Sequence, residues 1–234
     1  MEDTSFGRRD FLKSAVAGGA AAAAGGLPQA AQAQQTPGAA PASVGYTYFG
    51  PDEAAFVEAL VDHMVPADEL TPKGTALGLN IFIDRALAGS WGKGDRLYMQ
   101  GPWKSGVPSQ GYQLPLTPAA LYRAGIAATN KHCMKTYGKL FDQIGEGDRE
   151  TVLRDLDSGK LVFEEGPPSS VFFGIVYQTV MEGMFSDPIY GGNRNKAGWK
   201  MLGFPGVVAV HQRNIVNFKN KKFPGVPMGI ADMS

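Results

Sequence analysis

The residues of this chain whose types and settings could do chemistry are few: three histidines, one cysteine, one glutamate in an apolar run, and a Gly-Gly-Asn-Arg segment. His63, His132 and His211 could each serve as a general base, because imidazole titrates near neutral pH. They stand singly in the sequence, and each reads as a hydrogen-bonded structural residue. Glu182 lies in the most apolar stretch, where burial would raise a carboxyl into the range of acid–base work. The plainer reading is that it pairs with an Arg or Lys or accepts from backbone N–H groups of the loop that follows. Gly191-Gly192-Asn193-Arg194 could form an anion-binding turn, with free N–H groups from glycine and charge from arginine, although it opens no evident helix. One Cys and three His are not expected to build a four-ligand zinc site or an iron–sulfur cluster, and they allow no internal disulfide. The dinucleotide-binding, phosphate-loop, zinc-protease, haem-attachment and Gly-x-Ser-x-Gly motifs are all missing. No catalytic, cofactor-binding or metal-binding residue is therefore assigned on this chain.

Composition narrows the class further. The chain has 234 residues, with 22 Lys+Arg against 22 Asp+Glu and 44% hydrophobic residues. That length buries a proper core, and the balanced charge supplies no general attraction to phosphate, so nucleic-acid binding is not expected. With 31 Gly and 16 Pro, long irregular segments are expected between the packed elements.

The first 33 residues read as an address. Arg8, Arg9, Phe11, Leu12 and Lys13 precede a weakly apolar run from Ala15 to Leu27, and Ala31-Gln32-Ala33 forms a small-x-small cleavage site. Paired arginines before Phe-Leu-Lys resemble the twin-arginine export signal, whose pathway carries folded proteins across the bacterial inner membrane. The run is too short and too rich in Ala and Gly to span a bilayer. Cleavage after Ala33 removes Arg8, Arg9 and Lys13 against Glu2, Asp3 and Asp10, so the charge balance persists. Residues 34–46, mostly Gln, Pro, Ala and Gly, read as a flexible lead-in.

The elements that would position anything in the mature chain are helices. Pro51, Asp52 and Glu53 suit a helix start, and Phe56, Val57, Leu60, Val61 and Met64 recur at helical spacing until Pro66. A second helix is expected over Thr75 to Ala88, and a long one from Pro118 to about Ile144 on the stripe Tyr122, Ile126, Thr129, Cys133, Tyr137, Leu140 and Ile144. Asp148 reads as the N-cap of a short helix carrying Val152, Leu153 and Leu156. From Ser169 or Ser170 to Met184 the chain is apolar almost all round, which predicts the central buried helix. Alternating strand patterns are scarce. The expected fold is mainly α: four to five helices, long Gly/Pro/aromatic loops and an extended tail over residues 207–234.

One block carries a resemblance. Glu182-Gly183-Met184-Phe185-Ser186-Asp187-Pro188-Ile189-Tyr190-Gly191-Gly192-Asn193-Arg194, then Gly198-Trp199-Lys200 and Leu202-Gly203-Phe204-Pro205-Gly206, resembles the signature of the gluconate 2-dehydrogenase subunit 3 family. Met64-Val65-Pro66-Ala67-Asp68-Glu69, Ile83-Asp84 and Tyr122-Arg123-Ala124-Gly125 extend the likeness over about residues 50 to 206. The resemblance implies a non-catalytic small subunit. Its companions would be a large flavoprotein holding FAD, which oxidises a sugar, sugar acid or polyol, and a multihaem cytochrome c subunit. It further implies a periplasmic complex, with membrane association only through those partners and export of the flavoprotein on this chain's signal.

Within that reading, Glu182, Asp187, Asn193, Arg194 and Trp199 are expected to fix the turn after the central helix, with Glu182 or Asp187 accepting from Arg194. The irregular segments from Gly89 to Thr117 and from Phe185 to Ser234 are expected to form most of the partner contact, through Trp91, Tyr98, Trp103, Tyr112, Tyr190 and Phe204 among others. Cys133, an odd cysteine in an exported chain, is buried, metal-bound, reactive or paired with another chain, and its place on the stripe with Tyr137 allows either burial or a disulfide to the large subunit. Two alternatives stand beside the subunit: a free periplasmic protein stacking sugars on the aromatic loop, and a self-sufficient small enzyme with a site around Glu182 and Arg194.

Overall fold

Pro51 at the first helical position and Glu53 two residues on, whose carboxylate accepts from the Gly50 N–H at 2.9 Å, start helix α1 (Pro51–Met64). This opening belongs to a computed structural model that describes residues 45–95, 97–104, 106–207 and 212–233. The export and cleavage residues Arg8, Arg9, Phe11, Leu12, Lys13, Ala31 and Ala33, together with His211, lie outside the described residues.

After α1 come α2 (Gly74–Leu77), α3 (Leu79–Ala88), α4 (Pro118–Tyr137), α5 (Glu146–Asp157), α6 (Ser169–Phe185), α7 (Ala197–Leu202) and α8 (Gln212–Asn217). Short 3-10 turns punctuate the connections, and β pairing among the described residues is limited to an isolated bridge between Gly206 and Met228. The fold is mainly α, as expected. α1, α3, α4 and α6 close around Phe56, Leu60, Leu77, Leu79, Ile83, Leu121, Tyr122 and Phe172, all buried, and α5 covers α6 with Val152, Leu153 and Leu156.

Four expectations need correction. The helix expected to reach Ile144 stops at Tyr137, because Gly138 takes φ +68°, a left-handed conformation that glycine adopts without a Cβ penalty. Phe141 then turns back beneath α1 in a 3-10 turn, its ring 4.5 Å from that of Phe56. The helix expected from Thr75 to Ala88 is split at Gly78, where φ is +80°. Asp148 is not the N-cap of α5: Gly145 holds that position and Asp148 lies in the first turn. α6 is not buried all round, because Phe172, Val176, Thr179 and Val180 face the core while Tyr177, Met181 and Glu182 are exposed.

The chain entering α1 is held by a single side chain. Asp84 of α3, 2% exposed, accepts three backbone N–H groups: Thr47 (2.7 Å) on one oxygen, Tyr48 (2.9 Å) and Phe49 (3.0 Å) on the other. Neighbouring contacts extend the clamp. Asn80 donates to the Tyr46 hydroxyl, which donates to Glu58, and burial together with that carboxylate pushes the Tyr46 phenol above its usual range. The Tyr48 hydroxyl donates to the Ala119 carbonyl, and Arg123 lies 4.5 Å over the Tyr48 ring. Four residues without regular structure are thereby tied to α1, α3 and α4. Asp84→Ala leaves the buried Phe49 N–H and the part-buried N–H groups of Thr47 and Tyr48 without their acceptor and lowers the unfolding free energy by about 3 kcal/mol, and Asp84→Asn lowers it by less. Urea denaturation measures both, and an Asp84→Ala midpoint equal to wild type would show that the clamp is dispensable.

Candidate functional site

The segment after α6 is shaped by close backbone approach. A Cβ on Gly192 would lie 2.2 Å from the Gly183 carbonyl oxygen, and one on Gly198 would lie 2.3 Å from that of Met184. Only glycine therefore lets the turn and the start of α7 lie against the end of α6. Polar side chains then satisfy the backbone groups that this crowding removes from water. Asn193, fully buried with φ +45°, donates its amide to the Ser186 carbonyl (2.8 Å) and accepts from the Gly198 N–H (2.9 Å). The Trp199 indole donates to the Phe185 carbonyl at 2.7 Å. Asp187 accepts from Ile189 N–H (3.0 Å) with one oxygen and from Ile230 N–H (2.8 Å) with the other.

The C-terminal segment closes the knot. Lys196 pairs with Asp232, which also accepts from the Gly229 N–H at 2.6 Å. At the base, Val207 N–H donates to the Met228 carbonyl (2.7 Å) and Met228 N–H to that of Pro205 (3.1 Å). The expected tail over 207–234 is thus not simply extended, since its last residues fold back onto the turn.

Asp187, Asn193 and Trp199 are brought together, but Glu182 and Arg194 are not. Glu182 is exposed and accepts from Gln178, its neighbour one helical turn back, at 2.8 Å. The expected carboxylate partner of Arg194 does not appear among the described residues: Asp187 is taken up by backbone N–H groups. The Arg194 side chain lies instead along Gly78, where an added Cβ would come within 2.7 Å of its Nε. Arg85 approaches the same turn from α3, where a Cβ on Gly191 would be 3.1 Å from one of its terminal nitrogens. Two guanidinium groups therefore flank the Gly191-Gly192 turn. Sequence reasoning placed Ser186 and Asp84 in the family-like blocks but gave neither them nor Arg85 a positioning role. Asp84 could have been found as an acidic residue among apolar helix neighbours, a position that requires N–H partners.

His63 lies 2.9 Å from Glu150, whose carboxyl that contact holds below its ordinary range. His132 is 3.5 Å from the Thr136 hydroxyl. It also borders a cavity of about 330 Å³ between α4 and residues 162–166, where Lys131 pairs with Glu164. None of the aromatic residues of the 89–117 loop lines that cavity. Among the described residues no three His, Cys, Asp or Glu side chains converge as metal ligands, and no helix is long and apolar enough to cross a membrane.

The aromatic candidates divide into two sets. Trp91 and Tyr112 turn inward onto the core, Tyr112 donating to the Leu116 carbonyl, whereas Tyr98, Trp103, Tyr190 and Phe204 are exposed. Tyr177 and Met181 of α6 add to the outward set, with Phe173 stacked on Tyr177 at 6.3 Å. Cys133 is fully buried, and burial pushes its thiol up to about 11.

Fold and site together describe a small helical domain whose best-defined polar cluster binds its own backbone. The chain belongs to the gluconate 2-dehydrogenase subunit 3 family, whose model matches residues 51–206, about two-thirds of the chain. Membership implies a place in a multisubunit dehydrogenase. No curated protein and no solved structure matches the chain.

Asn193→Ala loses two hydrogen bonds and keeps a Cβ in the left-handed region, which Ala tolerates less well than Asn, so stability falls by about 3 kcal/mol, whereas Asn193→Gly recovers about 1 kcal/mol of backbone strain. Equal melting temperatures for the two variants would refute the role of the backbone conformation. The Cys133 thiol, buried and protonated at pH 8, should stay unreacted with a thiol-specific chromogenic reagent in the folded chain and react once guanidinium unfolds it. Stoichiometric reaction of the native protein would place it at a surface.

Proposed function

We propose that this chain is the non-catalytic small subunit of a periplasmic, FAD-dependent gluconate 2-dehydrogenase-like complex, and that it supports export and assembly of the flavoprotein subunit. The observation that carries this reading is how the family's signature turn is used. Asp187, Asn193 and Trp199 are bound to this chain's own backbone, so the segment builds a rigid shoulder for another protein. Around that shoulder the exposed Tyr190 and Phe204, and on α6 Tyr177 and Met181, supply the aromatic and methionine surface enriched at protein interfaces.

In this reading FAD is held by the large subunit and haem c by a cytochrome subunit, and electrons pass between those chains. The substrate is a sugar, sugar acid or polyol, with specificity set in the flavoprotein. The paired Arg8 and Arg9 address the assembled pair to the twin-arginine pathway, which suits a flavoprotein that folds around its cofactor before it crosses the membrane.

Purification from the native host tests the complex: the chain should bring with it flavin absorbance and haem bands, whereas a free sugar-binding protein or a self-sufficient enzyme would purify alone. Replacing Arg8 and Arg9 with Lys should leave a flavoprotein that lacks its own signal in the cytoplasm and reduce periplasmic dehydrogenase activity at least tenfold. Undiminished periplasmic activity in that variant would refute the export role.

A further inference from the structure

Balanced overall charge hides a strong segregation. Between Asp187 and Asp232 the chain carries seven Lys and Arg residues and no Asp or Glu. Within the described residues 212–227, Arg213, Lys219, Lys221 and Lys222 are all exposed, and none has a carboxylate partner among the described residues. Elsewhere Lys73, Lys131, Arg154 and Lys160 each lie against an Asp or Glu, while the exposed Lys93, Lys104 and Lys139 stand singly, with no cluster of cations around them in sequence. The same segment exposes aliphatic side chains, with Ile215 70%, Val216 76% and Val226 78% accessible. It is nevertheless folded. Phe218 and Phe223 meet edge to face at 5.1 Å, and Lys221 N–H donates to the Phe218 carbonyl.

We infer that residues 212–227 form a membrane-docking arm that binds anionic phospholipid, with Arg213, Lys219, Lys221 and Lys222 on the headgroup phosphates and Ile215 and Val216 entering the headgroup boundary. The combination selects lipid over protein. Lysine is depleted from protein interfaces, whereas an anionic bilayer attracts each nearby Lys or Arg independently and accepts exposed aliphatics at its boundary. The arm thus gives this chain its own membrane contact, beside any made through partners. Its assignment to the outer face of the inner membrane rests on the export reading above, but lipid binding itself does not.

The test is co-sedimentation of the full chain with vesicles of phosphatidylcholine alone and of phosphatidylcholine containing a third phosphatidylglycerol, at low and high salt. Wild type should bind the anionic vesicles selectively and lose binding as salt rises. The triple variant Lys219→Gln, Lys221→Gln, Lys222→Gln should bind about a hundredfold more weakly, and Ile215→Ser with Val216→Ser should weaken binding further. Both variants should keep wild-type circular dichroism and melting, because these side chains are exposed. Equal binding to both vesicle types, binding to neither, or a triple variant with undiminished affinity overturns the proposal. A triple variant that sediments like wild type yet no longer co-purifies with flavin would assign the arm to a protein partner instead. Co-purification of the wild-type chain is scored separately, so failure of lipid binding leaves the subunit reading standing.

Discussion

The Asp84 carboxylate, with three backbone N–H groups on its two oxygens, shows the constraint under which the whole domain is built. A helical fold with long connections has no sheet ladder to satisfy the polar backbone of its irregular segments, so side-chain oxygens must do it. Asp84 does so for the chain before α1, Asp68 for Leu70 and Thr71, Asp62 for Thr75, and Asn193 and Asp187 for the turn after α6. Arg149 is the complement, donating to the carbonyls of Phe141 and Asp142. Some of these bonds are local, as at Asp68, while those of Asp84 and the one from Ile230 to Asp187 join segments far apart in sequence, and through them irregular chain becomes part of the packed body.

That constraint explains what was legible in the sequence and what was not. Helix cores were legible, because Phe56, Leu60, Val152, Leu156, Phe172 and Val176 repeat at the helical period and are buried. The end of α4 is not legible, since Leu140 and Ile144 continue the stripe numerically and the backbone conformation of Gly138 overrides the pattern. Orientation was also hidden. An apolar run such as Val171–Met184 does not say which of its faces the rest of the chain covers, and here Tyr177 and Met181 remain outside. Proximity in sequence does not give the partner of Arg194, because Asp187 bonds to Ile230, more than forty residues away. Charge segregation was visible in principle and was masked by summing over the whole chain.

The likeness that identifies the family and the geometry of the turn are two descriptions of one fact. Glycines at 183, 192 and 198, with the Asn193 amide and the Trp199 indole between them, are what allow a 3-10 turn and a short helix to lie flat on the end of α6. Such a segment is recognisable in sequence because its sterics tolerate so few residue types. It marks a shape, and the chemistry of the assembled enzyme is a separate matter.

The bridge between Gly206 and Met228 has a consequence for how this chain can vary. It brings together Gly206 and Met228, the two ends of the stretch between them. The match to the family model stops at residue 206, at that same point. Closure entropy grows only slowly with the length of such an excursion. The stretch can therefore be lengthened, shortened or rewritten with little effect on the helices, and it is the natural place for one member of the family to acquire a property that its relatives lack.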